Sequence, residues 1–187
     1  LETVTYEGQV YNTVRIGDQC WFRENLNYAV ENSQCLAYDS VQCESFGRLY
    51  NWQAALTACP DGWHLPSDED WKNLEGYVDV IYDEGDPEWD KYNLRGYDAG
   101  ENLKSSLGWY MLGEGTNKFN FTALPGGLMF APGFFQYSGH RGYWWSSTEV
   151  GETKAIYRSL LYDQHLVRRS SMNKEYMLSV RCIKSDY

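Results

Sequence analysis

The three histidines are the first side chains to consider for acid–base or ligand chemistry. His64 stands between two apolar residues, where a buried, hydrogen-bonded ring is expected more often than a catalytic one. His140 precedes Arg141 in a glycine-flanked stretch, which makes it the better candidate for contact with a ligand; an exposed loop histidine without a ligand is the alternative. His165 follows a turn and indicates little. The histidines therefore favour binding over catalysis.

Sequence signatures of catalysis are missing. The chain has no Gly-x-Ser-x-Gly elbow, no phosphate-binding glycine loop and no His-Glu-x-x-His segment. Ser146 and Ser147 lack a neighbouring base and are typical of turn capping. The 26 acidic residues allow many carboxylate pairs for glycoside hydrolysis, but the sequence does not give their separation in space. A carbohydrate-active or protein-modifying enzyme is therefore kept as the alternative hypothesis.

One acidic stretch, residues 83–90, raises the question of a metal ion. It carries five carboxylates in eight residues, and Ca²⁺ prefers oxygen ligands of this kind. The spacing is not that of an EF-hand loop, so an acidic, solvated loop is the preferred interpretation. Asp83, Asp86 and Asp90 are the candidate ligands for a Ca²⁺ ion, and no other cofactor is predicted.

Aromatic side chains on glycine-rich segments are the strongest binding signal. Aromatic residues make up 17% of the chain, and glycines divide the part after Gly108 into short aromatic pieces. Tyr and Trp offer an apolar face on which a sugar can stack, while Arg and His hydrogen-bond to hydroxyl groups. We assign Trp63, Trp144 and Trp145 to the core. The predicted binding residues are Trp109, Tyr110, Phe135, Tyr137, His140, Arg141 and Tyr143. The alternative for each ring is that it packs beneath the irregular loops.

The five cysteines predict disulfide bonds and not a zinc site. None has Cys-x-x-Cys spacing or a histidine at zinc-ligand spacing. Two pairs and one leftover is the simplest count, and we pair Cys59 with Cys182 and Cys35 with Cys43, which leaves Cys20. Disulfides persist in oxidising compartments, so these pairs predict a secreted or cell-surface protein.

The charge and hydropathy of the chain limit the classes of molecule that it is expected to bind. A net charge of -10 argues against binding to nucleic acid or to anionic lipid, whereas neutral polysaccharide and divalent cations remain compatible. No run approaches the roughly 18 apolar residues of a membrane span. The sequence starts without Met or a signal peptide, which we interpret as a mature or trimmed fragment.

The helices and strands predicted from the sequence, which must position these side chains, indicate a single α+β domain over residues 1–187. The alternation in residues 4–22 predicts a short strand meander. Helices are predicted over residues 47–58, from Ser67 onward, and over residues 99–106. Ser67 and Asp70 have the spacing of a capping box. Five later stretches have strand character: 119–121, 134–137, 154–162, 165–170 and 177–183.

A series of landmarks in fixed order runs nearly from end to end, and Cys59 to Ser67, which reads Cys-Pro-Asp-Gly-Trp-His-Leu-Pro-Ser, is the most specific of them. The landmarks are residues 14–21, 24–28, 47–52, 59–71, 103–104, 119–127, 143–149 and 179–182. With them the chain resembles the Fibrobacter succinogenes major paralogous domain (FISUMP) family. Cys20 departs from the residue expected in the Ile-Gly-x-Gln-x-Trp landmark.

The resemblance implies a secreted or outer-surface bacterial protein, often held by a lipid anchor, here upstream of this sequence. It also implies a fold similar to C-type lectins and formylglycine-generating enzymes, with two main helices, antiparallel sheets and long irregular loops. Formylglycine chemistry needs a reactive cysteine pair, whereas Cys59 and Cys182 have the character of a structural disulfide. We therefore expect a non-catalytic recognition or adhesion domain that binds polysaccharide or a surface protein. A purely structural module within a larger protein is a third reading.

Overall fold

The protein has an α+β architecture, seen in a computed structural model that describes residues 2–184. The α-helices are α1 (Ser40–Phe46), α2 (Trp52–Ala55), α3 (Asp68–Val78) and α4 (Ala99–Leu103). The strands are β1 (Thr3–Tyr6), β2 (Gln9–Ile16), β3 (Gln19–Phe22), β4 (Ser33–Gln34), β5 (Leu49–Tyr50), β6 (Trp63–His64), β7 (Asn93–Arg95), β8 (Leu128–Ala131), β9 (Phe134–Gln136), β10 (Arg141–Val150), β11 (Lys154–Leu161), β12 (Val167–Asn173), β13 (Leu178–Ser179) and β14 (Ile183–Lys184).

The strands form three mostly antiparallel sheets. A five-stranded sheet has the order β1-β2-β3-β14-β6, a seven-stranded sheet has the order β4-β5-β13-β10-β11-β12-β7, and β8 and β9 pair separately. The meander predicted for residues 4–22 is confirmed as β1, β2 and β3. Ile183 of β14 lies opposite Trp21 of β3, so the two ends of the described chain lie in one sheet.

The seven-stranded sheet separates two hydrophobic clusters. Because side chains alternate along a strand, Trp144 and Trp145 of β10 point to opposite faces, and both are buried. Trp145 belongs to the cluster with Tyr143 and Tyr157, while Trp144 belongs to the cluster beneath α3. The core assignment of these two tryptophans is confirmed. Trp63 is half-buried and packs at the border of the first cluster.

Both predicted disulfide bonds are confirmed. Cys59, after α2, is bonded to Cys182, just before β14, across 123 positions of sequence. Cys35 is bonded to Cys43 in α1, across eight positions. Cys20 is half-buried and belongs to neither bond.

The helix predicted from Ser67 is confirmed as α3, and the helix predicted over 99–106 is confirmed in part as α4, Ala99–Leu103. The hydroxyl of Ser67 accepts a hydrogen bond from the Asp70 backbone N–H, and the Asp70 carboxylate accepts one from the Ser67 N–H, which completes the predicted capping box of α3. Of the helix predicted over residues 47–58, only α2, Trp52–Ala55, is helical. Leu49 and Tyr50 instead form β5, a buried strand between β4 and β13.

The predicted strands beyond Gly108 are confirmed in part. The stretches 134–137, 154–162 and 165–170 correspond to β9, β11 and β12. Residues 119–121 form no strand, because Asn120 adopts a positive φ of 58°. The stretch 177–183 is divided into β13 and β14, and the segment between them bonds instead to residues 22–26.

Asp79 at the end of α3 holds the connection to α4. Its two carboxylate oxygens accept five backbone N–H hydrogen bonds of 2.7–3.1 Å, from residues 81–82 and 97–99. Burial alone would raise the pKa of this carboxyl, but the five hydrogen bonds outweigh burial and the pKa lies below its ordinary value of 3.8. The folded state therefore favours the ionised form.

Acid is expected to destabilise the protein partly through Asp79. A carboxylate with a lowered pKa contributes stability above its unfolded pKa, and that stability is lost as the pH falls below about 4. Asp79→Asn should lower the free energy of unfolding at neutral pH by about 1–3 kcal/mol, and it should flatten the acid dependence of the melting temperature. Circular dichroism melts between about pH 7 and pH 3 test this, with Asp61→Asn, at an exposed site, as the control. Equal slopes for wild type and Asp79→Asn would contradict it.

Candidate functional site

Three segments meet beside the end of the seven-stranded sheet and carry most of the predicted binding residues. They are residues 104–113 after α4, the 137–141 turn between β9 and β10, and the 161–166 turn between β11 and β12. The backbone N–H of Tyr110 donates to the Gly139 carbonyl at 2.8 Å, and that of Tyr162 donates to the His140 carbonyl at 2.9 Å. Backbone hydrogen bonds thus fix the segments against one another.

A stack of rings forms where these segments touch. Tyr110 lies 4.2 Å from His140, centroid to centroid, with an interplanar angle of 30°. Tyr162 meets both rings edge-on, at 5.6 Å and 5.5 Å. His140 Nδ1 lies 3.1 Å from the Ser138 carbonyl oxygen; when Nδ1 carries the proton and donates it, Nε2 is the nitrogen that can accept from a ligand. Tyr110 remains 48% exposed.

A second aromatic contact lies on the other side of the same turn. The guanidinium of Arg141 lies 4.4 Å from the centroid of the Tyr137 ring and donates to the Tyr143 hydroxyl at 3.4 Å. Tyr143 itself is only 4% exposed, so it supports Arg141 and does not offer its ring face to a ligand. Burial raises the pKa of Tyr143 above its ordinary value of 10.0, although Arg141 opposes this, and the hydroxyl stays protonated at neutral pH.

Lys104 ties the base of the site together. Its ammonium group is buried and donates to the carbonyl oxygens of Gly113 at 2.9 Å, Leu161 at 3.2 Å and Gln164 at 3.1 Å. Burial lowers the pKa of this lysine. A buried lysine is not expected from the sequence at this position, since a single Lys near a short helix is normally solvated.

Trp109 corrects the prediction, because it is a core residue. It is 4% exposed, and its indole N–H donates to the Ser105 hydroxyl at 3.0 Å and to the Ala123 carbonyl at 3.2 Å. A tryptophan and a tyrosine that are adjacent in sequence point in opposite directions here, and only Tyr110 reaches the surface.

Phe135 lies apart from the ring stack. It is half-buried and meets Tyr38 edge-on at 5.1 Å. Together with Leu36, Gln42 and Tyr137 it lines an open cavity of about 410 Å³. Of the seven predicted residues, the structure therefore pairs Tyr110 with His140 and Tyr137 with Arg141, on the two sides of the 137–141 turn, and buries Trp109 and Tyr143. Phe135 lines the neighbouring cavity with Tyr137.

The family model of the Fibrobacter succinogenes major domain matches residues 14–184. The chain belongs to this family. Searches of the curated proteins and of the solved structures each found no match. The match spans the ring stack, the two disulfides and the paired terminal strands, so all of these are features of this Fibrobacter succinogenes major domain and not of an appended segment.

The carboxylates proposed as calcium ligands do not converge in this domain. Asp86 caps the turn that follows it, by accepting from the Glu88 N–H at 2.8 Å, and Asp90 forms a salt bridge with Lys72 at 2.6 Å. Asp83 is exposed and uses its backbone carbonyl to bind Trp89. Within residues 2–184 no group of three or more His, Cys, Asp or Glu side chains is arranged to hold a metal ion. Residues 83–90 are thus held by caps and ion pairs.

His64 pairs with Asp70 at 3.5 Å, and its side chain is 41% exposed, so the expected burial of its ring is wrong. The same carboxylate oxygen accepts from the Ser67 N–H and hydroxyl, both at 2.8 Å. His64 therefore lies beside Asp70 at the capped start of α3. No helix among the described residues is long and apolar enough to cross a membrane.

Proposed function

We propose that this domain is a non-catalytic recognition module that binds carbohydrate. The binding site is the ring surface, which we define as Tyr110, Tyr137, His140, Arg141 and Tyr162. The observation that supports this proposal is that Tyr110 keeps 48% of its area exposed, although one face of its ring is stacked on His140. A ring that is fixed from behind and open in front is the usual platform for the apolar face of a sugar.

The contacts behind the ring surface support recognition because they fix it before any ligand arrives. Tyr110, His140 and Tyr162 restrain one another by ring contacts, and Lys104 holds the segments beneath them. Little side-chain entropy is then lost on binding. None of the five residues is a carboxylic acid, whereas glycoside hydrolysis ordinarily uses two, so the set favours binding over cleavage.

The scaffold and the disulfides support a place for this module outside the cell. The antiparallel pairing of β3 with β14, with Cys59–Cys182 beside it, is compatible with a C-type-lectin-like fold, in which the terminal strands close a loop-rich domain. Two disulfides fit an oxidising compartment. We propose that the domain works in secreted form or on the outer surface of a bacterium.

A glycan array with purified domain, with and without a chelator, tests the proposal. We expect binding to at least one class of polysaccharide fragment and no effect of chelation. Tyr110→Ala should weaken that binding about tenfold or more, because a central aromatic residue commonly contributes 2 kcal/mol or more at an interface. An array without any positive glycan would overturn the proposal, as would Tyr110→Ala with unchanged affinity.

A protein partner is the second candidate, because apolar side chains next to Tyr110 are strongly exposed. Leu107 is 76%, Met111 is 72% and Leu112 is 94% exposed, and contiguous exposed apolar groups often mark protein contacts. Leu112→Ser is therefore the matched control for Tyr110→Ala. Carbohydrate binding predicts that Leu112→Ser leaves glycan affinity unchanged. If Leu112→Ser weakens glycan binding and Tyr110→Ala does not, the sugar binds at the exposed apolar side chains and not at the ring surface.

A further inference from the structure

Arg141 and Arg168 lie on the same face of the seven-stranded sheet. In the strand register Tyr143 lies opposite Ser159, and Ser159 lies opposite Arg168. Directly opposed residues of antiparallel strands point to the same face, and so do residues two apart on one strand, which places Arg141 with them. The ring contact of Tyr143 with Tyr157 at 5.8 Å confirms that face.

The two arginines are close enough to share a ligand. Arg141 is on β10 and Arg168 is on β12, with β11 between them, and their positions differ by two residues along the strands. This offset corresponds to a distance of roughly 12 Å between their Cα atoms. Two extended arginine side chains can meet over that distance. Between them in the strand register lie Tyr143, Ser159 and Leu161, and all three are buried.

Neither arginine pairs with a carboxylate in the described part of the chain. The guanidinium of Arg141 contacts the Tyr137 ring and the Tyr143 hydroxyl. The Nε of Arg168 is buried without a hydrogen-bond partner, and so is the Oγ of Ser159, a residue that is 0% exposed. An unsatisfied buried polar group destabilises the folded state, and a bound ligand, or a water held with it, would satisfy this donor and this hydroxyl on paired positions.

The opposite face of the same strands shows the contrast. Arg158 and Arg169 lie next in sequence to Ser159 and Arg168 and point to the other side of the sheet, where both bond to the carboxylate of Asp68 at 2.6–2.7 Å. With 26 acidic residues in the chain, partners for arginines are plentiful. Arg141 and Arg168 differ from these two arginines, because neither forms an ion pair within residues 2–184.

We infer that the carbohydrate bound by the ring surface is acidic, with a uronic acid carboxylate between Arg141 and Arg168. This inference rests on the proposed function and names its substrate class. A guanidinium group binds a carboxylate with two parallel hydrogen bonds, and Arg141 is held ready for it by the Tyr137 ring and the Tyr143 hydroxyl. The net charge of -10 repels dense polyanions, so a carboxylate on an otherwise neutral sugar chain fits best.

The test uses oligosaccharides that contain glucuronate or galacturonate, each paired with its carboxyl-reduced counterpart, which differs only in the acidic group. Isothermal titration calorimetry with the full chain should show roughly tenfold or greater preference for the acidic member of at least one pair. Arg141→Gln and Arg168→Gln should each reduce that affinity roughly 10- to 100-fold and leave the affinity for the reduced sugar nearly unchanged. Arg15→Gln, at an exposed arginine paired with Asp18, is the control and should have no effect.

The outcomes separate the inference from the proposed function. Equal affinity for the acidic and reduced sugars overturns the inference and leaves the proposed function intact. If neither member of any pair binds, the inference is overturned as well. The proposed function would still be supported if the domain binds neutral glycans on an array. Binding of a poly-glutamate peptide through both arginines, without sugar binding, overturns both. Thermal unfolding of each variant must match wild type, and Arg141→Lys and Arg168→Lys, which keep the charge but lose the two parallel bonds, should retain part of the affinity.

Discussion

Replacement of Cys59 and Cys182 together by alanine is expected to lower the free energy of unfolding by about 5 kcal/mol. The bond joins positions 123 residues apart, and in the chain-entropy model the stabilisation grows with the logarithm of the closed loop. It also fixes the segment before β14 against the end of α2, so its loss loosens the pairing of β14 with β3 and β6. Urea unfolding followed by tryptophan fluorescence measures the change.

The second disulfide supplies the matched control for this expectation. Cys35 and Cys43 close a loop of only eight positions, for which the same relation gives about 2.5 kcal/mol. The double variant of Cys35 and Cys43 should therefore cost about half as much as that of Cys59 and Cys182. Equal losses, or a larger loss at the short loop, would show that loop closure does not set the stability of this domain.

Local chemistry made part of the fold predictable. Ser67 and Asp70 determine the start of α3 because both halves of a capping box lie within four residues. The meander of β1, β2 and β3 follows from alternation and from the turns at Gly8 and Gly17, which both have positive φ. In each of these cases the interactions that decide the structure are close in sequence, and one sequence is enough to recognise them.

Long-range packing decided the rest of the fold. Leu49, Trp52 and Leu56 have spacing that suits a helix, yet Leu49 lies in β5 between β4 and β13. The partner strand β13 is more than a hundred residues away in sequence. Burial between two strands outweighs helix propensity, which differs among such residues by less than about 1 kcal/mol. The pairing of β10 with β13, the parallel pair in the described sheets, is equally invisible in a local pattern.

The candidate site shows the same division. Tyr110 and His140 were recognisable as aromatic or polar residues on glycine-rich segments, but their stacking depends on two loops that meet only in the folded chain. Tyr162 and Arg168 were missed, because a tyrosine at the end of a strand and an arginine next to another arginine have no distinctive spacing. The signal that could have indicated Arg168 is alternation along β12, where Arg168 and Arg169 must face opposite sides.

A buried charge network beneath α3 carries the second large prediction. Glu75 is 0% exposed, with one oxygen 2.5 Å from Arg95 and the other 2.6 Å from Arg158. Seven residues before it on the same helix, Asp68 bonds to Arg158 and Arg169. Two turns of α3 thereby join its buried side to β7, β11 and β12. Burial lowers the pKa of Arg95 to about 10 although Glu75 opposes this, a sign that desolvation of these charges is costly.

Glu75→Gln is expected to lower the free energy of unfolding by about 3–5 kcal/mol. Glutamine keeps the volume and one acceptor oxygen but removes the charge, so Arg95 and Arg158 stay buried with less compensation. Glu69→Gln on the same helix is the control: Glu69 is exposed and lies 3.5 Å from Lys72, and exposed pairs contribute at most about 1 kcal/mol. Urea unfolding compares the two variants. A Glu75→Gln loss as small as that of Glu69→Gln would mean that the arginines find other partners, and α3 would then be held to the sheet by Trp71 and Leu74 rather than by charge.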